Sequence, residues 1–244
     1  MQPLKTLAEH IANASTIVVL TGAGMSTESG IPDFRSESGL YTHESNVEYY
    51  LSEDYFHKEP IDFWIRFKRM FSLKMMGNFE PNKGHLFLRD LENLGKQVLI
   101  LTQNIDGLHQ KAGSKNVIEL HGTLQTATCQ KCETKYDLQY LNAHDVPCCT
   151  ECGDILKPDV VLFGGIVPKL DEAFDWAADS DLLIAMGTSL EVTPVNQIPL
   201  YAGIESPKVI KAIINKSSTR MDYIFDLVIH EAIGDTVVKL RSYL

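Results

Sequence analysis

The chain has no cysteine outside residues 129–152, no apolar run near the roughly 20 residues that a membrane-spanning helix needs, and too few basic residues to balance its acids. The first absence argues against a disulfide framework spread over a secreted fold. The second argues against a membrane-embedded body. The opening segment, MQPLKTLAEHIANAS, has a helical apolar period instead of the hydrophobic stretch and cleavage site of a secretory signal. The third, 22 Lys and Arg against 32 Asp and Glu with a net charge of −10, argues against a general affinity for nucleic acid, which needs clustered cations to displace counterions from phosphates. The densest basic stretch, Arg66 to Lys74, reads as a solvated helix face. A soluble, intracellular, cytoplasmic protein is therefore expected, with neither nucleic acid nor membrane as partner; the oligomeric state is not legible. What is present, 244 residues of which 44% are hydrophobic, suffices for one large domain or one large and one small.

Six short apolar runs have the length of buried strands: Ile17–Leu20, Val98–Leu101, Val117–Leu120, Val160–Phe163, Leu182–Met186 and Val209–Ile214. Each is followed at once by polar or glycine-containing residues, as at the carboxyl edge of a parallel sheet, where ligands bind in open α/β folds. Helical periodicity over Gly84–Leu94 and Asp171–Ala178 supplies crossovers, and Leu227–Ile229 adds an edge strand. Two segments do not fit a plain crossover: 39–83, aromatic and Met-rich, and 126–156, which carries every cysteine. The predicted architecture is α/β, a Rossmann-like open parallel sheet (1–38, 84–125 and 157–244) with a smaller domain formed by a helical insertion (39–83) and a zinc ribbon (126–156).

Cys129-Gln-Lys-Cys132 and Cys149-Thr-Glu-Cys152 are two C-x-x-C pairs sixteen residues apart, a spacing suited to a four-thiolate zinc site. Such a zinc has no open coordination position, so it is structural, one per chain. Cys148 is the spare. Only Lys131, Lys135 and Lys157 lie near the knot, too few for a nucleic-acid-binding ribbon.

After the first run comes Gly22-Ala23-Gly24-Met25-Ser26-Thr27, a tight glycine turn leading toward a possible helix, whose N–H groups could cradle a pyrophosphate. Thr27 replaces the third glycine of the dinucleotide fingerprint, and Ser36–Asn46 has no strand pattern to end in the acidic residue that a dehydrogenase wants. A dinucleotide would bind here without the usual geometry.

Taken in order, Gly22-Ala23-Gly24-Met25-Ser26, Gly30-Ile31-Pro32-Asp33-Phe34-Arg35, Thr102-Gln103-Asn104-Ile105-Asp106, His121-Gly122, the paired C-x-x-C, Phe163-Gly164 and Gly187-Thr188-Ser189 resemble the sirtuin family over nearly the whole chain. The resemblance implies NAD as co-substrate, a structural Zn2+, and acylated lysine side chains of proteins threading the cleft between two domains. The implied products are nicotinamide, O-acyl-ADP-ribose and free lysine. Asp106 would hold the nicotinamide carboxamide, Asn104 and Gln103 the adjoining ribose, with Ile105 between them. His121 would be the general base, a role that suits a group titrating near neutrality; His85 and His109 would be scaffold. Ala23, Arg35, Thr188 and Ser189, with Gly22, Gly24 and Gly187 beside them, would meet the phosphates and Asn215 the adenosine ribose. Phe34 would shield the reacting ribose carbon. The Val161 main chain and the Phe163 ring would line the acyl-lysine tunnel, and the peptide would add as a strand beside Phe163-Gly164.

Two departures matter. Gly165 stands where the family commonly has Glu, which removes a carboxylate beside the peptide and implies added flexibility. Trp64 and Phe67 stand where sirtuins that accept acidic acyl groups carry Tyr-x-x-Arg, so a neutral acyl group, acetyl first, is expected. The rival readings are a sirtuin-type ADP-ribosyltransferase or NAD hydrolase and, from another class, a non-catalytic NAD-sensing or zinc-ribbon interaction module.

Overall fold

The computed structural model describes residues 2–33, 46–76 and 78–244. Its larger sheet contains β1 (Thr16–Thr21), β2 (Gln97–Thr102), β3 (Val117–Glu119), β7 (Leu182–Met186), β8 (Ile210–Asn215) and β9 (Leu227–His230), all parallel, in the order β3-β2-β1-β7-β8-β9. The apolar runs are continuous because both faces are covered. Ile17 and Val19 of β1 face a core shared with α1 (Gln2–Asn13), α5 (Lys83–Asn93) and α10 (Ile233–Arg241). Val18 and Leu20 face the opposite core, shared with α8 (Leu170–Ala178) and α9 (Ile198–Glu205). Strand order reverses between β1 and β7, so the switch-point crevice opens at the residues that follow β1, β2 and β7.

The Val160–Phe163 run is a correction: it is not a strand of the parallel sheet. Its first residue ends β6 (Lys157–Val160), which pairs antiparallel with β4 (Gly122–Thr128) in a small sheet ordered β5-β4-β6, where β5 is Lys135–Asp137. The remainder forms a strap: Phe163 N–H donates to the Leu51 carbonyl at 2.9 Å and Glu53 N–H to the Phe163 carbonyl at 3.0 Å. Val160 and Leu162 turn into a separate core with α2 (Val47–Tyr50), α3 (Glu53–Lys58), α4 (Pro60–Met76) and α7 (Leu138–Ala143). A four-residue apolar run reports burial without saying which sheet receives it.

The start of α5 is fixed by Asn82, whose side chain accepts from the N–H groups of Gly84 and His85 while His85 reaches back to the Asn82 N–H. Among the described residues no helix is long and apolar enough to cross a membrane.

Candidate functional site

The crevice is built by two turns pressed together. Gly22 N–H donates to the Met186 carbonyl at 3.2 Å and Gly24 N–H to the Gly187 carbonyl at 2.8 Å. A Cβ on Gly24 would lie 2.9 Å from the Gly187 backbone, and one on Gly187, whose φ is +63°, would lie 2.3 Å from the Met25 nitrogen. These glycines are thus required by the turn-on-turn contact. Among the described residues the turn leads not into the possible α-helix but into Ala23–Met25 and Thr27–Ser29, single 3₁₀ turns. Backbone N–H groups of a short turn, without a long helix behind them, are what this site offers an anion.

The loop after β2 carries the next group. Asn104 is buried, and its Nδ2 donates to the Gly22 carbonyl at 3.0 Å and to Ser26 Oγ at 3.1 Å, which leaves Oδ1 as the acceptor available to a ligand. Ser26 Oγ donates to Asp106 Oδ2 at 2.7 Å, and Leu108 N–H donates to Oδ1 at 3.0 Å, so this carboxylate is held from both sides. Gln103 Nε2 donates to Thr188 Oγ1 at 3.0 Å, tying the β2 and β7 loops together. Ser26 sat in a quoted motif without a role; its place between Asn104 and Asp106 is visible only in three dimensions.

His121 follows β3 at the corner where the chain enters the small sheet. Gly122 is needed there because a Cβ would lie 2.0 Å from the Asp159 carbonyl oxygen. His121 Nδ1 lies 3.1 Å from the Gln103 carbonyl, which can only accept, so Nδ1 carries the proton and Nε2 is left with its lone pair. Burial lowers the imidazole pKa, partly opposed by the same backbone bond. The ring is therefore a neutral base in the tautomer that leaves Nε2 free for chemistry. The rate of any reaction needing that base should stay above half its maximum at pH about 6.5, where an ordinary imidazole is half protonated, and reach its midpoint at a lower pH. A pH profile of kcat/KM checks this; an acid limb centred at or above the ordinary value would contradict it.

A cavity of about 940 Å³ collects most of the sequence-predicted residues. Its polar side holds Gly22, Ala23, Gly24, Gln103, Asn104, Gly187, Thr188, Ser189 and Asn215, with His121 at the junction; its apolar side holds Ile105, Val161, Phe163, Gly164 and Phe67. Asp106 is not among the lining residues and reaches the site through Ser26. Phe34 and Arg35 lie outside the described residues.

Trp64 is a second correction. It is fully buried in the small core, with Nε1 donating to the Leu156 carbonyl at 2.7 Å, and does not reach the cavity. The aromatic pair that does is Phe67 and Phe71, spaced i, i+4 along α4 with ring centroids 4.8 Å apart. Arg66 is engaged elsewhere: its Nε donates to Asp62 at 2.5 Å and its guanidinium lies 4.0 Å from the centre of the Tyr50 ring. Gly165 is also not the loose joint expected. Its N–H closes a turn onto the Leu162 carbonyl at 2.8 Å, and a Cβ would sit 2.9 Å from that oxygen and 3.0 Å from Glu53 Oε1. Glu53 pairs with Lys157 at 3.0 Å, so a carboxylate from α3 already occupies the neighbourhood of residue 165.

The four cysteines Cys129, Cys132, Cys149 and Cys152 bring their sulfurs within 4.8 Å of one another. Separations of 3.4 Å (129 to 152), 3.4 Å (132 to 149) and 3.7 Å (132 to 152) approach the edge of about 3.8 Å expected of a tetrahedron with zinc–sulfur bonds of about 2.3 Å. Both turns fold alike: Glu133 N–H donates to the Cys129 carbonyl and Gly153 N–H to the Cys149 carbonyl, each at 2.9 Å, with Glu133 and Gly153 both at positive φ. The set fits a structural zinc. Cys148 turns away, toward the Val146 carbonyl.

Fold and site together define a Rossmann-like α/β protein with a switch-point cavity equipped with a base and, in its smaller sheet region, a four-thiolate knot. A sequence model of the Sir2 family matches residues 22–194, and the chain belongs to that family. It is 68% identical over 244 residues to the NAD-dependent protein deacetylase 2 of Geobacillus kaustophilus (strain HTA426), a match covering 100% of this chain and 99% of that protein. It is 50% identical over 239 residues to the NAD-dependent protein deacetylase of Bacillus subtilis (strain 168), covering 95% and 96% of the two chains. A Sir2 variant solved with a deacetylated p53 peptide and 3'-O-acetyl ADP-ribose superposes with a TM-score of 0.89 at 33% identity, covering 98% of this chain and 97% of that one.

Proposed function

We propose that this chain is an NAD-dependent protein lysine deacylase, a deacetylase first, releasing nicotinamide, O-acyl-ADP-ribose and free lysine. The observation that carries this reading is His121: a buried neutral imidazole with Nδ1 committed to a backbone carbonyl, lining one cavity with Asn104 and the glycine turn. When bound, NAD supplies the ribose that receives the acyl group. Asn104 would offer Oδ1 to a ribose hydroxyl; Asp106, held by Ser26 behind the cavity lining, is assigned to the nicotinamide amide by resemblance alone. Gly22, Ala23, Gly24, Thr188 and Ser189 border the phosphates, and Asn215 the adenosine ribose. With NAD and acyl-lysine bound, His121 Nε2 would accept the proton of a ribose hydroxyl as the acyl group moves to that oxygen and the lysine nitrogen leaves. Phe163, Val161 and Ile105 wall off water from the acyl-lysine. Phe34 and Arg35 are assigned to ribose shielding and phosphate contact by resemblance alone. The sheet with its helices is the cofactor body, and 47–71 with the cysteine segment is the smaller one. Zinc-ready thiols suit the reducing cytoplasm, the compartment we assign.

Acyl choice follows from the apolar wall. A carboxylate on the acyl chain would meet the apolar Phe67 and Phe71, and the nearby Arg66 is already held by Asp62 and Tyr50. Acetyl peptide should therefore be turned over with a kcat/KM well above that of succinyl peptide, and a myristoyl chain should be tolerated. Rates for the three acyl forms of one peptide check this, and a preference for succinyl would refute the assignment of the wall.

A further inference from the structure

Two histidines lie beside the catalytic loop with no part in the chemistry above. His85 on α5 and His109 on α6 (Leu108–Ala112) are 0% and 1% exposed, and their rings meet edge to face with centroids 4.8 Å apart. Their proton positions can be worked out. Thr21 Oγ1 donates its single hydrogen to Thr102 Oγ1 at 2.8 Å, so the 3.0 Å contact between Thr21 Oγ1 and His109 Nε2 is a donation from the ring. Thr102 Oγ1 in turn accepts the Asn104 backbone N–H at 3.0 Å. On the other side Asn82 N–H donates to His85 Nδ1 at 3.3 Å, which places the proton of neutral His85 on Nε2. Burial keeps both rings neutral, His85 pushed down to about 4 and His109 well below its ordinary value. His85 Nε2 and His109 Nδ1 are both buried and make no hydrogen bond among the described residues.

We infer that His109, acting through Thr21 and Thr102, is a positioning residue that fixes Asn104 at the cavity. The polarity runs one way: His109 N–H to Thr21, Thr21 O–H to Thr102, and Thr102 accepting the Asn104 N–H. Because Asn104 Nδ2 is spent on Gly22 and Ser26, a shift of its backbone would move the one oxygen left for the ribose. The inference rests on the deacylase reading for its consequence but not for its geometry.

Two measurements decide it. Nitrogen-edited NMR of the zinc-loaded protein should show His109 neutral and protonated on Nε2 at about neutral pH. An Nδ1-protonated or cationic ring overturns the chain while leaving the deacylase reading untouched. Thr102→Val, which keeps the shape and removes the oxygen, should slow exchange of labelled nicotinamide into NAD by about 10- to 100-fold, the scale of a small misplacement in a reacting array. KM for an acetylated peptide should stay unchanged, and Thr102→Ser should recover most of the rate. In an Asn104→Ala background Thr102→Val should cost nothing further, because both changes act on one group. An unchanged rate in Thr102→Val, an equal loss in Thr102→Ser, or full additivity with Asn104→Ala overturns the inference. Should Thr102→Val fail to fold, Thr21→Val compared with Thr21→Ser reads the same chain one bond earlier. An unsubstituted protein without nicotinamide exchange would instead strike at the deacylase reading.

Discussion

His121→Ala is expected to abolish deacylation, lowering kcat by about 10²–10⁴, the usual cost of deleting a general base, while the melting temperature and NAD affinity change little. The ring contributes one hydrogen bond, to the Gln103 carbonyl, and that carbonyl borders a cavity where solvent can replace the imidazole. Packing therefore loses little, whereas the imidazole that serves as base is gone. His85 and His109 are neutral but buried away from the cavity lining. Single-turnover assays of acetyl-peptide consumption beside a thermal melt separate the two effects. Unimpaired turnover in a folded His121→Ala protein would remove the residue from the mechanism.

The other large effect belongs to the cysteine knot. Cys129→Ala should lose the zinc and with it the small core, because Cys129 and Cys149 pack directly among Phe63, Trp64, Leu141 and Leu156. Structural zinc in small peptides contributes about 10–16 kcal/mol, more than the packing of one apolar side chain offers, so the variant should be insoluble or inactive. Cys148→Ala should keep about one zinc per chain, the usual content of a closed four-thiolate site. Metal analysis of the two purified variants gives the answer: loss of zinc from Cys148→Ala would shift the ligand by one residue, from Cys149 to Cys148, and retention in Cys129→Ala would remove Cys129 from the set.

The parallel sheet was legible because its strands are buried on both faces and end in glycine, asparagine or threonine, as at Thr21-Gly22 and Asn215. The knot was legible because C-x-x-C spacing reports turn geometry directly. The partner of Val160–Phe163 was not, since apolar character gives burial and no address. The resemblance to Tyr-x-x-Arg sirtuins implies Trp64 at the acyl wall, yet its N–H meets the Leu156 carbonyl and Phe71 lines the cavity one turn beyond Phe67. The hydroxyls of Thr21, Ser26 and Thr102 were silent because their roles depend on strand register. Thr21 faces Thr102 only because β1 and β2 pair in the register that joins those two residues. The tautomer of His121 likewise required knowing that a carbonyl eighteen residues upstream in sequence meets its Nδ1.

The central claim, that the acyl group passes from lysine to the ribose of NAD, is tested most directly by mass analysis of all products after incubating the zinc-loaded protein with NAD and an acetylated lysine peptide. Nicotinamide, deacetylated peptide and O-acetyl-ADP-ribose should accumulate in equal amounts. Free ADP-ribose with the peptide still acetylated, ADP-ribose attached to protein, or NAD left intact would contradict it.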